Sequence, residues 1–145
     1  MKVFLCGIVM LMASCGVGSQ EALQEVKSGP YELTPDQTYT VRDYVSSEFN
    51  LPRAVQMHEM TASRQENGII TVCGMADALG QEGPGDAIGY RAYTGMLVPD
   101  RDDFIVTKLA SSPLDQKVIF EMCRRFGAPI KIPERAKKMM AAVRR

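Results

Sequence analysis

The chain has 145 residues, of which 46% are hydrophobic and 23% charged, so its composition is that of an ordinary globular protein. Its formal net charge is zero and it contains no tryptophan. The length excludes two domains of usual size but suits one domain of roughly 100 residues, and the charge gives no reason to expect a nucleic-acid partner.

Residues 1–14 have the layout of a signal peptide. Lys2 gives a positive start, residues 3–13 form an apolar run, and small residues follow. The run is far shorter than the ~20 residues that a membrane-spanning helix needs. The segment is therefore predicted to be removed on export, which indicates a protein of the bacterial cell envelope or a secreted protein.

Two interpretations fit the end of this segment. Met12-Ala13-Ser14-Cys15 resembles the lipobox of bacterial lipoproteins, in which small residues precede a cysteine that becomes lipidated. This predicts a lipid on Cys15, and several acyl chains on one residue anchor a protein stably to a membrane. The alternative is ordinary cleavage a few residues later, for instance after Ser19, which releases a secreted protein.

The segment 15–30 is polar, contains glycine and serine, and lacks hydrophobic periodicity, so it is predicted to be a tether between membrane and domain. After it, Thr34, Pro35 and Gln37 have the spacing of a capping box with proline in the first turn. This pattern predicts a helix over 35–48.

Four strands are predicted downstream from β-favouring residues and from the turns between them. They lie at 54–62, 69–78, 88–98 and 104–110. The Asn67-Gly68 pair predicts a hairpin with a type I′ turn, because both central residues of that turn need a positive φ. A loop rich in glycine, 79–87, follows the second strand.

A second helix is predicted from Pro113 to Gly127, where glycine suits a left-handed C-cap. Its buried face is predicted to consist of Leu114, Val118, Ile119, Met122, Cys123 and Phe126. The sequence therefore predicts an α+β fold: a four-stranded antiparallel sheet with a helix before and after it, both packed on one face. This domain is predicted to span residues 31–128.

Two cysteines remain when Cys6 leaves with the signal peptide and Cys15 is lipidated. Cys73 and Cys123 are then an even pair in an oxidising compartment, which predicts a disulfide between the second strand and the second helix. Two separately buried thiols are the alternative. No Cys-x-x-Cys spacing occurs, so the sequence supports neither a thioredoxin-like centre nor a zinc site.

The C-terminal residues 129–145 are predicted to be a basic amphipathic tail. Residues 20–123 carry eight Lys or Arg against sixteen Asp or Glu, a net charge of −8, whereas 124–145 carry eight against one, a net charge of +7. A helix that starts at Pro133 separates an apolar sector from a basic one. The apolar sector contains Ala136, Met139, Met140 and Val143. The predicted membrane-contact residues are Arg135, Lys137, Lys138, Arg144 and Arg145. In the alternative, the apolar residues dock on the acidic domain.

Two motifs, Val72-Cys73-Gly74 and the Gly-Tyr stretch 89–97, resemble a family of small bacterial envelope proteins and lipoproteins. That family has a Val-Cys-Gly strand, an Asn-Ala-Lys-Asn segment, a Gly-Tyr strand and a late helical cysteine. The resemblance covers residues 33–127. It implies a shared fold, disulfide and envelope location, but no activity.

The sequence departs from that family's pattern in one segment. Asp77 stands where asparagine is usual, Leu79-Gly80 replaces Lys-Asn, and the loop that follows is longer. The resemblance carries over no function to this chain.

Side chains suited to catalysis or metal binding are few. His58 is the only histidine, so any nucleophile–histidine arrangement depends on it. Met57 and Met60 resemble copper(I) ligands, but a half-buried strand histidine beside core methionines is the preferred interpretation. The glycines of 83–86 precede a strand rather than a helix, so they do not form a phosphate-binding loop. We expect no enzyme activity, no metal and no cofactor.

Two function classes remain. The preferred one is a non-catalytic envelope lipoprotein or secreted protein that binds a protein or cell-wall partner. The alternative is a module that engages membranes or polyanions through its basic C-terminal helix.

Overall fold

The computed structural model describes residues 27–50, 52–78, 89–98, 100–101 and 103–142. The predicted signal peptide, the predicted lipid site Cys15, most of the predicted tether, the glycine-rich loop, and Arg144 and Arg145 lie outside these residues.

One antiparallel sheet forms the centre of the described part of the chain. Its strands are β1 (Ser28–Tyr31), β2 (Val55–Met57), β3 (Thr61–Gln65), β4 (Ile70–Ala78), β5 (Tyr90–Val98) and β6 (Asp103–Leu109). Their spatial order is β1-β3-β4-β5-β6, and β2 pairs with β4 beside β3. The predicted α+β class with an antiparallel sheet is confirmed, whereas the described residues form six strands rather than four.

Three α-helices of the described part of the chain cover the sheet: α1 (Pro35–Ser47), α2 (Pro113–Arg125) and α3 (Glu134–Ala142). Side chains alternate between the two faces of a strand, and β4 is buried along its whole length. Val72 of β4 packs in one cluster with Val41 and Val45 of α1. Cys73, on the opposite face, packs with Ile119 of α2. The prediction that both helices share one face is therefore wrong, because β4 and β5 are apolar on both faces.

α1 begins with the predicted capping box. The Thr34 hydroxyl accepts a hydrogen bond from the Gln37 N–H (3.2 Å), and the Gln37 Oε1 accepts one from the Thr34 N–H (3.0 Å). Val41 and Val45 lie one turn apart and are completely buried against the sheet. The prediction of this helix is confirmed, and it ends at Ser47, one residue early.

The predicted first strand, 54–62, is two strands in the structure. β3 pairs with the first half of β4 and β2 with its second half, so both strands lie along the same edge of β4. The three residues 58–60 between them leave the sheet, and the His58 N–H donates to the Met75 carbonyl (3.0 Å). The result is a gap in the regular strand pairing opposite Gly74 and Met75, which the His58–Met75 hydrogen bond spans.

β1 lies inside the segment predicted as a tether. It pairs with β3 over four residues, with Ser28 opposite Gln65. Gly29 and Pro30 weakened the sequence signal for a strand here. Pro30 lacks an N–H and is tolerated because β1 is an edge strand. The sheet thus begins at Ser28 rather than after residue 30.

The β3–β4 hairpin is confirmed at Asn67-Gly68, but its turn type is not. Gly68 has φ 85°, whereas Asn67 has a negative φ, so the turn is not type I′. The Gly68 N–H donates to the Gln65 carbonyl, and the Gln65 N–H donates to the Ile69 carbonyl (both 2.9 Å). This is a three-residue loop with a left-handed glycine at its end.

α2 ends at Arg125, and the predicted capping glycine, Gly127, follows it with φ 74°. The Ala128 N–H donates to the Cys123 carbonyl (2.9 Å) and the Gly127 N–H to the Arg124 carbonyl (3.2 Å), the pattern of a Schellman cap. The predicted buried face is wrong at Leu114 and Val118, which are 70% and 40% exposed.

Candidate binding cleft

An open cleft of about 710 Å³ lies beside the gap between β2 and β3. Residues from four parts of the chain line it: the end of β1, one face of α1, the turn 57–62, and the segment after α2. These residues are Pro30, Tyr31, Glu32, Leu33, Thr38, Arg42, Met57, His58, Glu59, Met60, Thr61, Ala62, Gly127 and Pro129. The cleft lies where β2 gives way to β3 along the same edge of β4.

Arg42 is the cation of the cleft that has no ion pair among the described residues. It lies four residues after Thr38, so both side chains are on the same face of α1. Of the two acidic residues of the cleft, Glu59 is paired with Lys131, and Glu32 is exposed. The Arg42 guanidinium is therefore available for an anion.

Tyr93 lies behind the cleft wall. It is opposite Gly74 in the β4–β5 pair, and a Cβ on Gly74 would lie 2.5 Å from the tyrosine hydroxyl oxygen. The side chain thus reaches from β5 across β4 toward Met57, Met60 and Ala62, which pack in the same cluster. Its hydroxyl is fully buried and has no hydrogen-bond partner.

Burial also sets the ionisation of this hydroxyl. It raises the pKa of Tyr93 far above its ordinary value, and the positive charge of Arg42 opposes that shift in part. The Tyr93 hydroxyl is therefore a neutral donor at physiological pH. A buried donor without an acceptor costs about 1–3 kcal/mol, so an acceptor that reached it would recover stability.

His58 lines the cleft from the opposite side of the sheet. Its ring contacts that of Tyr90, with centroids 5.3 Å apart, and its Nε2 is buried without a hydrogen-bond partner. Met57 and Met60 pack in the cluster on the α1 side. Because the imidazole and the two thioethers face different layers, the structure does not bring together the three side chains that resembled copper(I) ligands.

Cys73 and Cys123 form a disulfide, with their Cα atoms 6.1 Å apart. Both residues are completely buried, and the bond joins the centre of β4 to the last turn of α2. The predicted pairing is confirmed. Beyond the last turn, the Ser28 hydroxyl donates to the Phe126 carbonyl (2.8 Å) and that of Thr61 to the Ala128 carbonyl (3.0 Å), so the end of α2 is bound to β1 and β3.

The predicted basic tail contains α3, which contacts the domain through Ala136. This residue is completely buried and packs with Met75 and Tyr90 on the sheet face that also carries α2. Arg135 and Lys138 are exposed, and Lys137 pairs with Glu134. Of the predicted apolar sector, at least Ala136 thus faces the protein.

Three further findings bear on function. Among the described residues, no helix combines the length and apolar character needed to cross a membrane. The same residues contain no group of three or more His, Cys, Asp or Glu side chains placed to hold a metal ion. Finally, no family model, no curated protein and no solved structure matches the chain.

Sequence reasoning placed three lining residues, Met57, His58 and Met60, in one candidate site. It did not identify Arg42 or Tyr93. An arginine on an amphipathic helix and a tyrosine in a strand have no distinctive local pattern, and the gap that relates them arises from strand pairing. The one available signal was Gly74 opposite Tyr93, since glycine in a central strand often marks a close approach.

Proposed function

We propose that this protein is an exported, non-catalytic binding domain, held at the envelope membrane by a lipid on Cys15 or secreted after later cleavage. The observation that carries the proposal is the buried disulfide between Cys73 and Cys123. Such bonds persist in oxidising compartments and are rare in the reducing cytosol. The charged start, short apolar run and lipobox-like residues 12–15 support the same location.

The chemistry of the cleft supports binding rather than catalysis. A catalytic acid or base must be placed within hydrogen-bond reach of a reacting group and must titrate near the working pH. Burial raises the pKa of the Tyr93 hydroxyl further above the physiological range, and the ring of His58 is packed against Tyr90.

Metabolic labelling with a clickable fatty acid tests the anchor. We expect label on the wild-type protein and on a Cys6→Ala control, since that residue belongs to the predicted signal peptide. A Cys15→Ala variant should carry none. Equal labelling of the Cys15→Ala variant would contradict the lipid anchor.

Thiol alkylation in intact cells tests export separately. Cys73 and Cys123 should resist alkylation until a reductant is added, in protein recovered from the envelope or the medium. Recovery of the protein in the cytosol with both thiols free would contradict export in either form.

A second candidate function is electrostatic contact of α3 with an anionic membrane or polyanion. Arg135 and Lys138 favour it, because both are exposed while Ala136 is buried against the sheet. Contact through basic side chains alone does not require the apolar residues of the helix to leave the domain. Each basic residue near an anionic membrane contributes about 1 kcal/mol.

A further inference from the structure

We propose that the cleft binds a small monocarboxylate carried on an apolar body, with its carboxylate held by Arg42 and the Tyr93 hydroxyl. The inference names the ligand class for the binding role proposed above and rests on that role, but not on export or lipidation.

The charged side chains of the cleft favour a ligand with a single negative charge. Arg42 has no ion pair among the described residues, while Glu32 is exposed on the same cleft and Glu59 is already paired with Lys131. A single available cation beside an acidic group balances one negative charge rather than the two of a phosphate monoester. Hydrogen bonds to an ionised carboxylate are also shorter and stronger than neutral ones.

The unpartnered hydroxyl supplies the second contact. Tyr93 crosses β4 over Gly74 and packs in the same cluster as Met57 and Met60, which line the cleft. Methionine has three rotatable bonds and adapts its shape readily. Movement of these side chains opens a path by which a carboxylate oxygen accepts from the Tyr93 hydroxyl while it also contacts Arg42.

The rest of the cleft suits an apolar body. Leu33, Met57 and Met60 are half-buried and pack against the apolar core, so each leaves apolar surface facing the cleft. The volume of about 710 Å³ falls in the usual range for small-molecule sites. Two sources share this chemistry: a free fatty acid, and the C-terminal carboxylate of an apolar peptide.

Calorimetric titration of a chain that begins at Glu21 tests the proposal. The three described core clusters and the disulfide lie within residues 27–142, so this chain keeps every contact described. The probes are octanoate and N-acetyl-dileucine. The uncharged counterpart of octanoate is octanol, and that of N-acetyl-dileucine is N-acetyl-dileucine amide. We expect saturable binding of one or both acids and much weaker binding of the uncharged pair. The acid that binds more tightly shows whether the carboxylate comes from a fatty acid or from the C-terminus of a peptide.

Two variants and one control complete the test. Arg42→Gln and Tyr93→Phe should each weaken binding by about tenfold or more, as expected for the loss of a hydrogen bond to a charged group. Arg101→Gln removes an exposed arginine from the β5–β6 turn and should leave affinity unchanged. Tyr93→Phe removes an unpaired buried hydroxyl, so the variant should stay folded.

Three results would overturn the proposal. They are no saturable binding of either acid at millimolar concentration, equal binding of an acid and its uncharged counterpart, or unchanged affinity in Arg42→Gln or Tyr93→Phe. Each of these leaves the labelling and alkylation results intact, so failure of the ligand assignment is distinguishable from failure of the proposed location.

Discussion

The side-chain amide of Gln116 hydrogen-bonds to the backbone of Ala92 just beyond the end of β6. It takes the place of a backbone partner that a longer β6 would supply. The β5–β6 pairing ends where the Ala110 N–H donates to the Ala92 carbonyl (2.8 Å). Beyond that point, the Gln116 Oε1 accepts from the Ala92 N–H (2.8 Å) and its Nε2 donates to the Tyr90 carbonyl (3.1 Å). A helix side chain thus satisfies two backbone groups of the central sheet.

A Gln116→Leu substitution should therefore destabilise the fold by about 2–6 kcal/mol, because it leaves two buried backbone groups unpaired at about 1–3 kcal/mol each. Gln116 is 4% exposed, so water cannot replace the amide. Urea unfolding measures the loss. Lys117→Leu, at the exposed neighbouring position of α2, is the matched control and should change stability little; an equal loss in both variants would contradict this role.

Elements with local chemical signals were predicted well. The capping box at Thr34, the hairpin at Gly68 and the C-cap at Gly127 each depend on neighbours in sequence, so a single segment contains the information. Tertiary packing decided the features that were missed. The buried face of α2 was assigned by hydrophobicity, yet Gln116 is buried for its hydrogen bonds while Leu114 is exposed.

The candidate site was predictable only in part. Met57, His58 and Met60 are near neighbours in sequence, so the sequence alone is enough to relate them. Arg42 and Tyr93 come near them only because β2 and β3 pair with the same edge of β4 and separate between residues 57 and 61. No period or spacing in the sequence indicates that two strands share an edge.

The disulfide should contribute substantially to stability. Cys73→Ala combined with Cys123→Ala should lower the free energy of unfolding by about 2–5 kcal/mol, because the bridge closes a long loop and both sulfurs are buried. Chemical unfolding of the oxidised protein and the double variant measures the difference. Intact mass should show the oxidised protein two hydrogens lighter than its reduced form; two alkylatable thiols in purified exported protein would contradict the bridge.

Substitutions at two glycines distinguish the cost of backbone strain from the cost of a steric contact. Gly68→Ala should cost about 1–2 kcal/mol, since its positive φ disfavours a side chain although no atom lies within 4 Å of the added Cβ. Gly127→Ala should cost more, because its Cβ would also lie 2.6 Å from the Ser28 hydroxyl oxygen. Gly29→Ala, with an ordinary φ and open space, is the control. Equal thermal stability of the Gly68→Ala and Gly127→Ala variants would show that the Ser28 contact costs nothing.

Binding of α3 to membranes should be electrostatic. A chain that begins at Glu21 should co-sediment with anionic vesicles at low salt and detach as salt is added, since salt screens exposed charges. Reversal of Arg135 and Lys138 to glutamate should weaken binding strongly, because each of the two basic residues contributes about 1 kcal/mol and the added negative charges repel the vesicle. Zwitterionic vesicles are the control. Binding that persists at high salt would instead indicate insertion of apolar residues, in conflict with the buried position of Ala136.

Tyr93 should make the protein sensitive to alkali. Burial holds the pKa of the folded Tyr93 well above the ordinary value of 10.0. Below pH 10 the hydroxyl is protonated in both the folded and the unfolded chain, so its full contribution to stability is present. Above pH 10 the unfolded chain ionises while the folded chain does not. The free energy of unfolding should then fall by about 1.4 kcal/mol per pH unit until the pH passes the folded pKa.

A comparison of two phenylalanine variants isolates this effect. Tyr93→Phe should be at least as stable as the wild type at neutral pH, because it removes a buried hydroxyl that has no partner. Its stability advantage should widen as the pH rises from about 10 to 11, by the amount that the linkage relation gives for one proton. Tyr39→Phe, at a side chain that is 73% exposed, should follow the wild type at every pH. Urea unfolding at each pH measures the difference in stability between wild type and Tyr93→Phe. A difference that stays constant from pH 10 to 11 would mean that the Tyr93 hydroxyl ionises as freely when folded as when unfolded.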